Sequence, residues 1–475
     1  MNAHLTDALN KVPAAKPALA DDHGTLDHGQ LRLRSMQAAR RLRDDLGGGQ
    51  FIVIRAEHSN DFVVTLLGAI YSGNTPVPID PQTPERALTQ ILARCEARPA
   101  ISPLRPPEYS GLNPLAQADK SRPAMIMFTS GTTGTPKGVI MTHENIAHSC
   151  KTVAAYLGYA KRPSTLVALP LYYSYGLISQ LLAQLYIGGY ARLLGGLGNP
   201  TIFIKSIQEE KIQTFCGVPS TFLTLHRFSR LRPFQLPSVQ VVCSAGAAFD
   251  LSLYDEIRTI FPNAQVFNNY GMTEACPRIS FISDDDPRFL QGTCGRTMAG
   301  VQAVIVDEET GHRKPDGEKG MLAVRGPNIT PGYLHDDQRT CEAFTAEGFL
   351  KTGDLAYLDN GYIYLHGRVD DVFNVAGEKV SPLEIEAALN TLPEIECAAV
   401  RGMPDTSRGG APVAFLILRE KVSKERLDIA LSEQLSPIRI PVAYYQVSEL
   451  PLTNNGKVQR QKLAVDGSNI LTRID

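Results

Sequence analysis

What most constrains the fold is an alternation that begins at Phe51, in which short apolar runs are separated by stretches with apolar residues at helical spacing. Residues 51–54 and 75–79 read as strands, and 61–71 and about 84–94 as helices. Neighbouring parallel strands need a long crossover, usually a helix, so this rhythm predicts a mainly parallel α/β sheet. It resumes with a helix at 144–156, a strand at 165–169, a helix around 177–185, and strands at 212–218 and 239–244. From 295 to 364 the pattern changes to short strands with Gly-rich turns, such as 303–306 and 320–326, which predicts a small β-rich subdomain. Beyond Gly367-Arg368-Val369-Asp370-Asp371 lie about a hundred residues with segments of their own at 383–389, 395–400, 413–418 and 424–434. That is long enough for an independent core. The first twenty or so residues, rich in Ala, Pro and Lys, read as a loosely packed arm. In 31–46, Leu31, Ala38, Leu42 and Leu46 mark a helix, and the arginines among them read as a solvated face rather than a nucleic-acid stripe.

Composition narrows the function classes. A chain of 475 residues predicts two to four domains or subdomains. A formal net charge of −2 argues against electrostatic capture of nucleic acid or of an acidic membrane surface. The cysteines (95, 150, 216, 243, 276, 294, 341 and 397) form no CxxC pair and no Cys/His cluster. Reduced, buried thiols in a cytoplasmic protein are therefore expected, rather than a zinc site or a disulfide framework. The first residues show no basic-then-apolar signal pattern. Residues 163–191 are uncharged, but Pro170, Ser174, Gly176, two glutamines and several tyrosines read as a buried strand followed by a buried helix, not as a membrane span.

The densest chemistry lies at 124–143. An apolar run at 124–128 breaks into Thr129-Ser130-Gly131-Thr132-Thr133-Gly134-Thr135-Pro136-Lys137-Gly138, and a second apolar run starts at Val139. Glycines let backbone amides approach a ligand closely. Four threonines and a serine add hydroxyl donors, and Lys137 adds positive charge, so the stretch suits a polyphosphate. The bland alternative is a Gly/Thr-rich surface turn. A P-loop of the GxxxxGK[ST] kind is excluded, because Gly138 follows the lysine.

The string TSGTTGTPKG resembles the phosphate-binding signature of the adenylate-forming superfamily, which comprises acyl- and aryl-CoA synthetases, adenylation domains of nonribosomal peptide synthetases and firefly-type luciferases. Further stretches resemble the family's other motifs in order, and the resemblance runs from about Thr25 to Leu463. Pro170-Leu-Tyr-Tyr-Ser-Tyr-Gly-Leu177 matches a motif flanking the acyl pocket, with Tyr173 where many members carry histidine. No acid occurs from 163 to 191, which weighs against an α-amino acid substrate. Ser244-Ala245-Gly246-Ala247-Ala248 matches an adenine-edge loop. In Asn269-Tyr270-Gly271-Met272-Thr273-Glu274, the resemblance gives Tyr270 a face for adenine, Thr273 a hydrogen bond to phosphate, and Glu274 a Mg²⁺ ligand. Tyr173, Ser174, Gly176, Ala245, Pro277 and Arg278 would line the acid pocket, with Arg278 either holding an anionic or hydroxylated end of the substrate or making a structural ion pair.

Asp354 in Lys351-Thr-Gly-Asp-Leu355 matches the ribose clamp, since a carboxylate accepts from both hydroxyls of a diol, and Arg368 would reach ribose or α-phosphate. By resemblance Asp370 is the hinge, Gly377 leaves room for the pantetheine arm, and Lys457 in Leu450-Pro-Leu-Thr-Asn-Asn-Gly-Lys457 bridges the acid and the α-phosphate. Asn454 stands where the family usually has proline.

The resemblance implies an α/β protein with a large multi-subdomain N-terminal domain of mainly parallel sheets and a small β subdomain (1–369), plus a smaller, mobile α+β C-terminal domain (370–475). It implies activation of a carboxylic acid by ATP and Mg²⁺, then transfer to CoA. The alternatives are loading of a separate phosphopantetheinyl carrier protein and a non-catalytic nucleotide-binding protein.

Overall fold

A nine-stranded sheet organises the large unit. Its strands run, edge to edge, Arg296–Thr297, Ser280–Ser283, Gln265–Tyr270, Val241–Ser244, Thr214–Gly217, Ser164–Val167, Tyr190–Leu193, Pro17–Asp21 and Gly24–Asp27. The computed structural model describes residues 5–97, 101–104, 122–129, 136–196, 198–246, 249, 251–452 and 458–475. Every pairing between Gln265–Tyr270 and Pro17–Asp21 is parallel, whereas the pairs at the two edges are antiparallel. Strands Thr214–Gly217 and Val241–Ser244 are buried at every position, as a parallel sheet covered on both faces requires.

Helices cover each face. One layer includes His28–Leu46, Asn60–Tyr71 and His143–Tyr156, and the other Pro200–Glu209, Pro219–Leu231 and Tyr254–Ile260. Two of these helices start on reciprocal caps, Asp27 with Gln30 and Thr142 with Asn145, which satisfy amide donors that a helix start leaves open.

The expected loose N-terminal arm is corrected. Pro17–Asp21 is a strand of the main sheet, with Ala18 and Leu19 fully buried. The Asp21 carboxylate accepts from the backbone amides of His23, Gly24 and Asn60. Its parallel partner is Tyr190–Leu193, and local composition carries no sign of a neighbour so far along the chain. Leu19→Ala is accordingly expected to destabilise the protein by about 2–5 kcal/mol, measured by urea unfolding; a loose arm would show no change.

The uncharged stretch forms the buried strand Ser164–Val167 and a buried helix, as expected, but the helix begins with a π-helical segment, Tyr175–Leu182, before Ala183–Tyr186. Buried Gln180 donates to the Leu166 carbonyl. No helix among the described residues is long and apolar enough to cross a membrane.

Two small sheets adjoin the large one: the parallel pair Phe51–Arg55 and Thr75–Ile79, and the antiparallel pair Met125–Thr129 and Lys137–Met141. Gln302–Val306, Gly320–Arg325, Leu350–Asp359 and Tyr362–Arg368 form the expected β subdomain, antiparallel throughout. Past residue 370, a four-stranded sheet (Ile395–Asp405, Gly409–Leu418, Ala443–Val447, Ile470–Ile474) packs with helices Pro382–Asn390 and Lys424–Ser432 around cores drawn from residues 373–474 alone. None of the eight cysteines forms a disulfide, and six are buried.

Candidate active site

The central strands Thr214–Gly217, Val241–Ser244 and Gln265–Tyr270 end side by side, where an open α/β sheet offers a crevice outside its carboxyl ends. Asn269 ties two of these ends together. Its side-chain amide donates to the Ser244 carbonyl at 3.2 Å, and its carbonyl oxygen accepts from the Tyr156 hydroxyl at 2.7 Å. Ala245 is buried beside them, and Gly246 turns the chain with φ of 89°. Ala247 and Ala248 lie outside the described residues.

Gly271 passes so close to the following segment that a Cβ there would sit 1.8 Å from the Pro277 carbonyl oxygen. This contact, together with hydrogen bonds from the buried Asn328 amide to the Ala275 and Arg278 carbonyls, fixes the course of residues 271–278. Half-buried Met272 packs on the core. Thr273 meets Ser174 hydroxyl to hydroxyl at 3.3 Å, so the Pro170–Leu177 motif and the signature stretch adjoin.

Glu274 is buried and accepts a hydrogen bond from the Tyr333 hydroxyl at 3.0 Å. The carboxylate and burial together push the Tyr333 phenol well above its ordinary range, burial being the larger cause. The ring of Tyr333 carries the Lys137 ammonium over it, 5.7 Å from the ring centroid. Lys137 pairs with Thr129 at the mouth of the hairpin. The residues between them that were read as phosphate ligands, Ser130, Gly131, Thr132, Thr133 and Gly134, lie outside the described residues.

A second line of contacts joins residues far apart in sequence. The Tyr270 hydroxyl donates to Asp354, whose other oxygen accepts from Arg368 at 3.2 Å. Burial is the first cause that raises the Tyr270 phenol, and the Asp354 carboxylate adds to it. Three expected nucleotide contacts thus meet at one place, where strand Leu350–Asp359 pairs with Tyr362–Arg368.

Other expectations land differently. Tyr173 is half-buried with its ring 4.6 Å from Tyr172. Gly176 and Pro277 are buried at tight backbone contacts: a Cβ on Gly176 would lie 2.9 Å from the Leu169 and Pro170 carbonyls. The ion pair open to Arg278 is corrected. Arg278 has no carboxylate within ion-pair distance among the described residues, and is instead 1% exposed beneath the strand ends. Asp370 is exposed in the short 3₁₀ turn Val369–Asp371. Ala376 and Gly377, with φ of 51° and 89°, make the turn between Phe373–Val375 and Glu378–Val380. A Cβ at Gly377 would meet nothing within 4 Å, and neighbouring Lys379 pairs with Glu308 of the β subdomain at 2.7 Å. Lys457 lies outside the described residues, but Leu452 and Val458 pair across its segment. Three residues on, Arg460 is held by Asp371 at 3.0 Å and Glu386 at 2.7 Å.

Sequence reasoning missed Tyr156, Tyr175 and Tyr333. Tyr333 follows a Pro-Gly turn signal, Pro331-Gly332, which marks a turn but says nothing of the glutamate 59 residues earlier. Tyr156 ends an unremarkable helix, and its hydroxyl finds Asn269 only in three dimensions. Among the described residues no group of three or more His, Cys, Asp or Glu side chains is arranged to hold a metal ion.

The chain is similar to known proteins over most of its length. The family model described as AMP-binding enzyme matches residues 5–112 and 100–334, and that of the AMP-binding enzyme C-terminal domain matches 384–457. A 2-succinylbenzoate–CoA ligase of Bacillus velezensis is 33% identical over 365 residues, which is 76% of this chain and 73% of that protein. The o-succinylbenzoate CoA synthetase of Bacillus subtilis with its acyl-adenylate intermediate superposes with a TM-score of 0.85 at 26% identity, covering 98% of each chain. Its complex with ATP and magnesium gives 0.84 at 25%, covering 97% and 98%. Matched across both of its units by the family's models and by ligases of this kind, the chain belongs to the adenylate-forming AMP-binding enzymes, close to the acyl- and aryl-CoA synthetases.

Proposed function

We propose that this chain activates a small carboxylic acid with ATP, releasing pyrophosphate, and passes the acyl group from the acyl-adenylate to CoA. The observation that carries the reading is the pairing of two contact lines at the strand ends: Tyr270–Asp354–Arg368, suited to a ribose diol, and Glu274–Tyr333–Lys137, suited to phosphates and their metal. Mg²⁺ fits this donor set. It binds through one or two carboxylates plus substrate phosphates rather than in an all-protein cage, and Glu274 is a single buried carboxylate with one oxygen engaged by Tyr333. The ion would be held by Glu274 and the triphosphate, where it offsets phosphate charge.

In the first step a carboxylate oxygen attacks the α-phosphorus and the bond to the pyrophosphate oxygen breaks. Two anions must meet, and unit charges 4 Å apart at an effective dielectric of 20 repel by about 4 kcal/mol. Lys457 offsets that repulsion at the reacting atoms, Arg368 at the ribose and α-phosphate, and Lys137 at the departing pyrophosphate. The protein's contribution is positioning and charge complementarity. In the second step the CoA thiol, having given up its proton, attacks the acyl carbonyl and AMP leaves. Residues 370–475 turn about Asp370 between the steps, exchanging Lys457 for the Gly377 turn. Cysteines without disulfides and a requirement for ATP and CoA support a cytoplasmic enzyme.

The test is acid-dependent pyrophosphate release from ATP, followed by thioester formation with CoA and, separately, with carrier proteins. Thioester on CoA alone supports the reading; thioester only on a carrier favours the alternative acceptor; no pyrophosphate with any acid excludes the activity. Glu274→Gln keeps a hydrogen-bond acceptor for Tyr333 but removes the charge. It is expected to lower kcat about 10²-fold and to raise the Mg²⁺ concentration needed for half-maximal rate.

A further inference from the structure

The residue that the nucleotide chemistry leaves unexplained is Arg278. It heads the largest fully buried side chains of the protein, at 1% exposure. An arginine stays ionised in a protein, and buried charges are normally paired. This one is not. Its Nε donates to the Tyr156 hydroxyl at 3.2 Å, and its guanidinium lies 4.2 Å from the Tyr175 ring centroid. Its Nη2 has no hydrogen-bond partner among the described residues, and no carboxylate there comes within ion-pair distance. The ionisable groups facing it are the phenols of Tyr156 and Tyr175 and the thiols of Cys216 and Cys243. Burial raises both phenols and the Cys243 thiol, which keeps them neutral; the Cys216 thiol is lowered, first by its hydrogen bond with Cys243 and also by the guanidinium itself.

Location gives that charge a purpose. The Tyr175 hydroxyl donates to the carbonyls of Gly217 and Cys243, at the ends of two central strands, and Tyr156 holds Asn269 at the end of the third. The guanidinium therefore lies between two tyrosines that are themselves fixed to the rim of the crevice, four residues beyond Glu274 in the chain. A merely structural filler here would be better served by an apolar side chain, since burying a charge without a partner is expensive.

We propose that the acid this enzyme activates carries a second anionic group, at the end remote from the activated carboxyl, and that Arg278 selects it. This rests on the ligase reading above and names its substrate class: dicarboxylic acids and acids with an equivalent second oxyanion. A site built to pair a buried polar group rejects analogues that lack the partner far more strongly than an apolar pocket rejects a missing methylene.

The experiment compares kcat/KM for pyrophosphate release across straight-chain and aromatic dicarboxylic acids with that for the mono-methyl ester of each. In the wild-type enzyme the best diacid is expected to exceed its half-ester by at least about 10²-fold. In Arg278→Met that ratio falls by at least tenfold, while Arg278→Lys, which keeps the charge but not the planar fork, retains an intermediate ratio. The inference is overturned if wild-type enzyme uses half-esters or plain monoacids as well as the diacids, a comparison that needs no variant. A folded Arg278→Met with an unaltered ratio overturns it too. If monoacids release pyrophosphate and diacids do not, the inference alone fails. Silence with every acid of both kinds removes the ligase reading and the inference with it.

Discussion

Replacing Lys457 with alanine is expected to slow acyl-adenylate formation by about 10²–10³-fold, while thioester formation from supplied acyl-adenylate and CoA stays near the wild-type rate. The asymmetry follows from where charge develops. Only the first step brings a carboxylate against a phosphate, so only that step needs a cation between them. The described residues on either side of Lys457 are held in place. Leu452 and Val458 pair across its segment, and Arg460 anchors the returning chain to Asp371 beside the proposed hinge and to Glu386. Pyrophosphate release and thioester formation are measured separately, the second with synthetic adenylate. A variant that releases pyrophosphate at the wild-type rate would remove the lysine from the mechanism, and equal losses in both steps would make it a general structural residue.

The second large effect is expected from a single methyl group. Gly271→Ala places a Cβ 1.8 Å from the Pro277 carbonyl oxygen and 2.9 Å from the Arg278 Cα. Both obstacles are backbone, so no side-chain rotation relieves them. Either the end of strand Gln265–Tyr270 or the segment through Arg278 has to move, and these carry Tyr270, Thr273 and Glu274 between them. A displacement near 1 Å at reacting groups can reduce rate about 10²-fold, and overpacking of this kind costs about 1–3 kcal/mol of stability. Pyrophosphate release and thermal unfolding read the two effects. Gly195→Ala, where a Cβ would meet nothing within 4 Å, is the control and should shift stability by less than about 0.5 kcal/mol. Wild-type activity in Gly271→Ala would mean that the close approach is not needed.

Much of the fold was legible in the sequence because periodicity and punctuation are local. The helix expected at 61–71 is Asn60–Tyr71, and the strand expected at 75–79 is Thr75–Ile79. The buried strand and helix of 163–191 were readable because glutamines and a proline contradicted a membrane span. The π-helical start at Tyr175 was not readable, since it reflects how the segment seats between the sheet and its neighbours. The N-terminal strand escaped for a related reason: five residues of Pro-Ala-Leu-Ala-Asp become a strand between Gly24–Asp27 on one side and the distant Tyr190–Leu193 on the other.

The candidate site divides in the same way. By itself the sequence determined the family, the order of the motifs and the chemistry each can perform, because residue types such as a carboxylate, a lysine or a Gly/Thr-rich turn carry their chemistry wherever they sit. Only the tertiary structure decided that Tyr333 stands between Glu274 and Lys137, that Tyr270 and Arg368 share Asp354, and that Arg278 lies buried between Tyr156 and Tyr175 with no carboxylate partner among the described residues. The physical reason is that these contacts span up to 196 positions of chain (Lys137 to Tyr333). Which side chains meet is set by the path of the crossovers over the sheet, and no local pattern records that path.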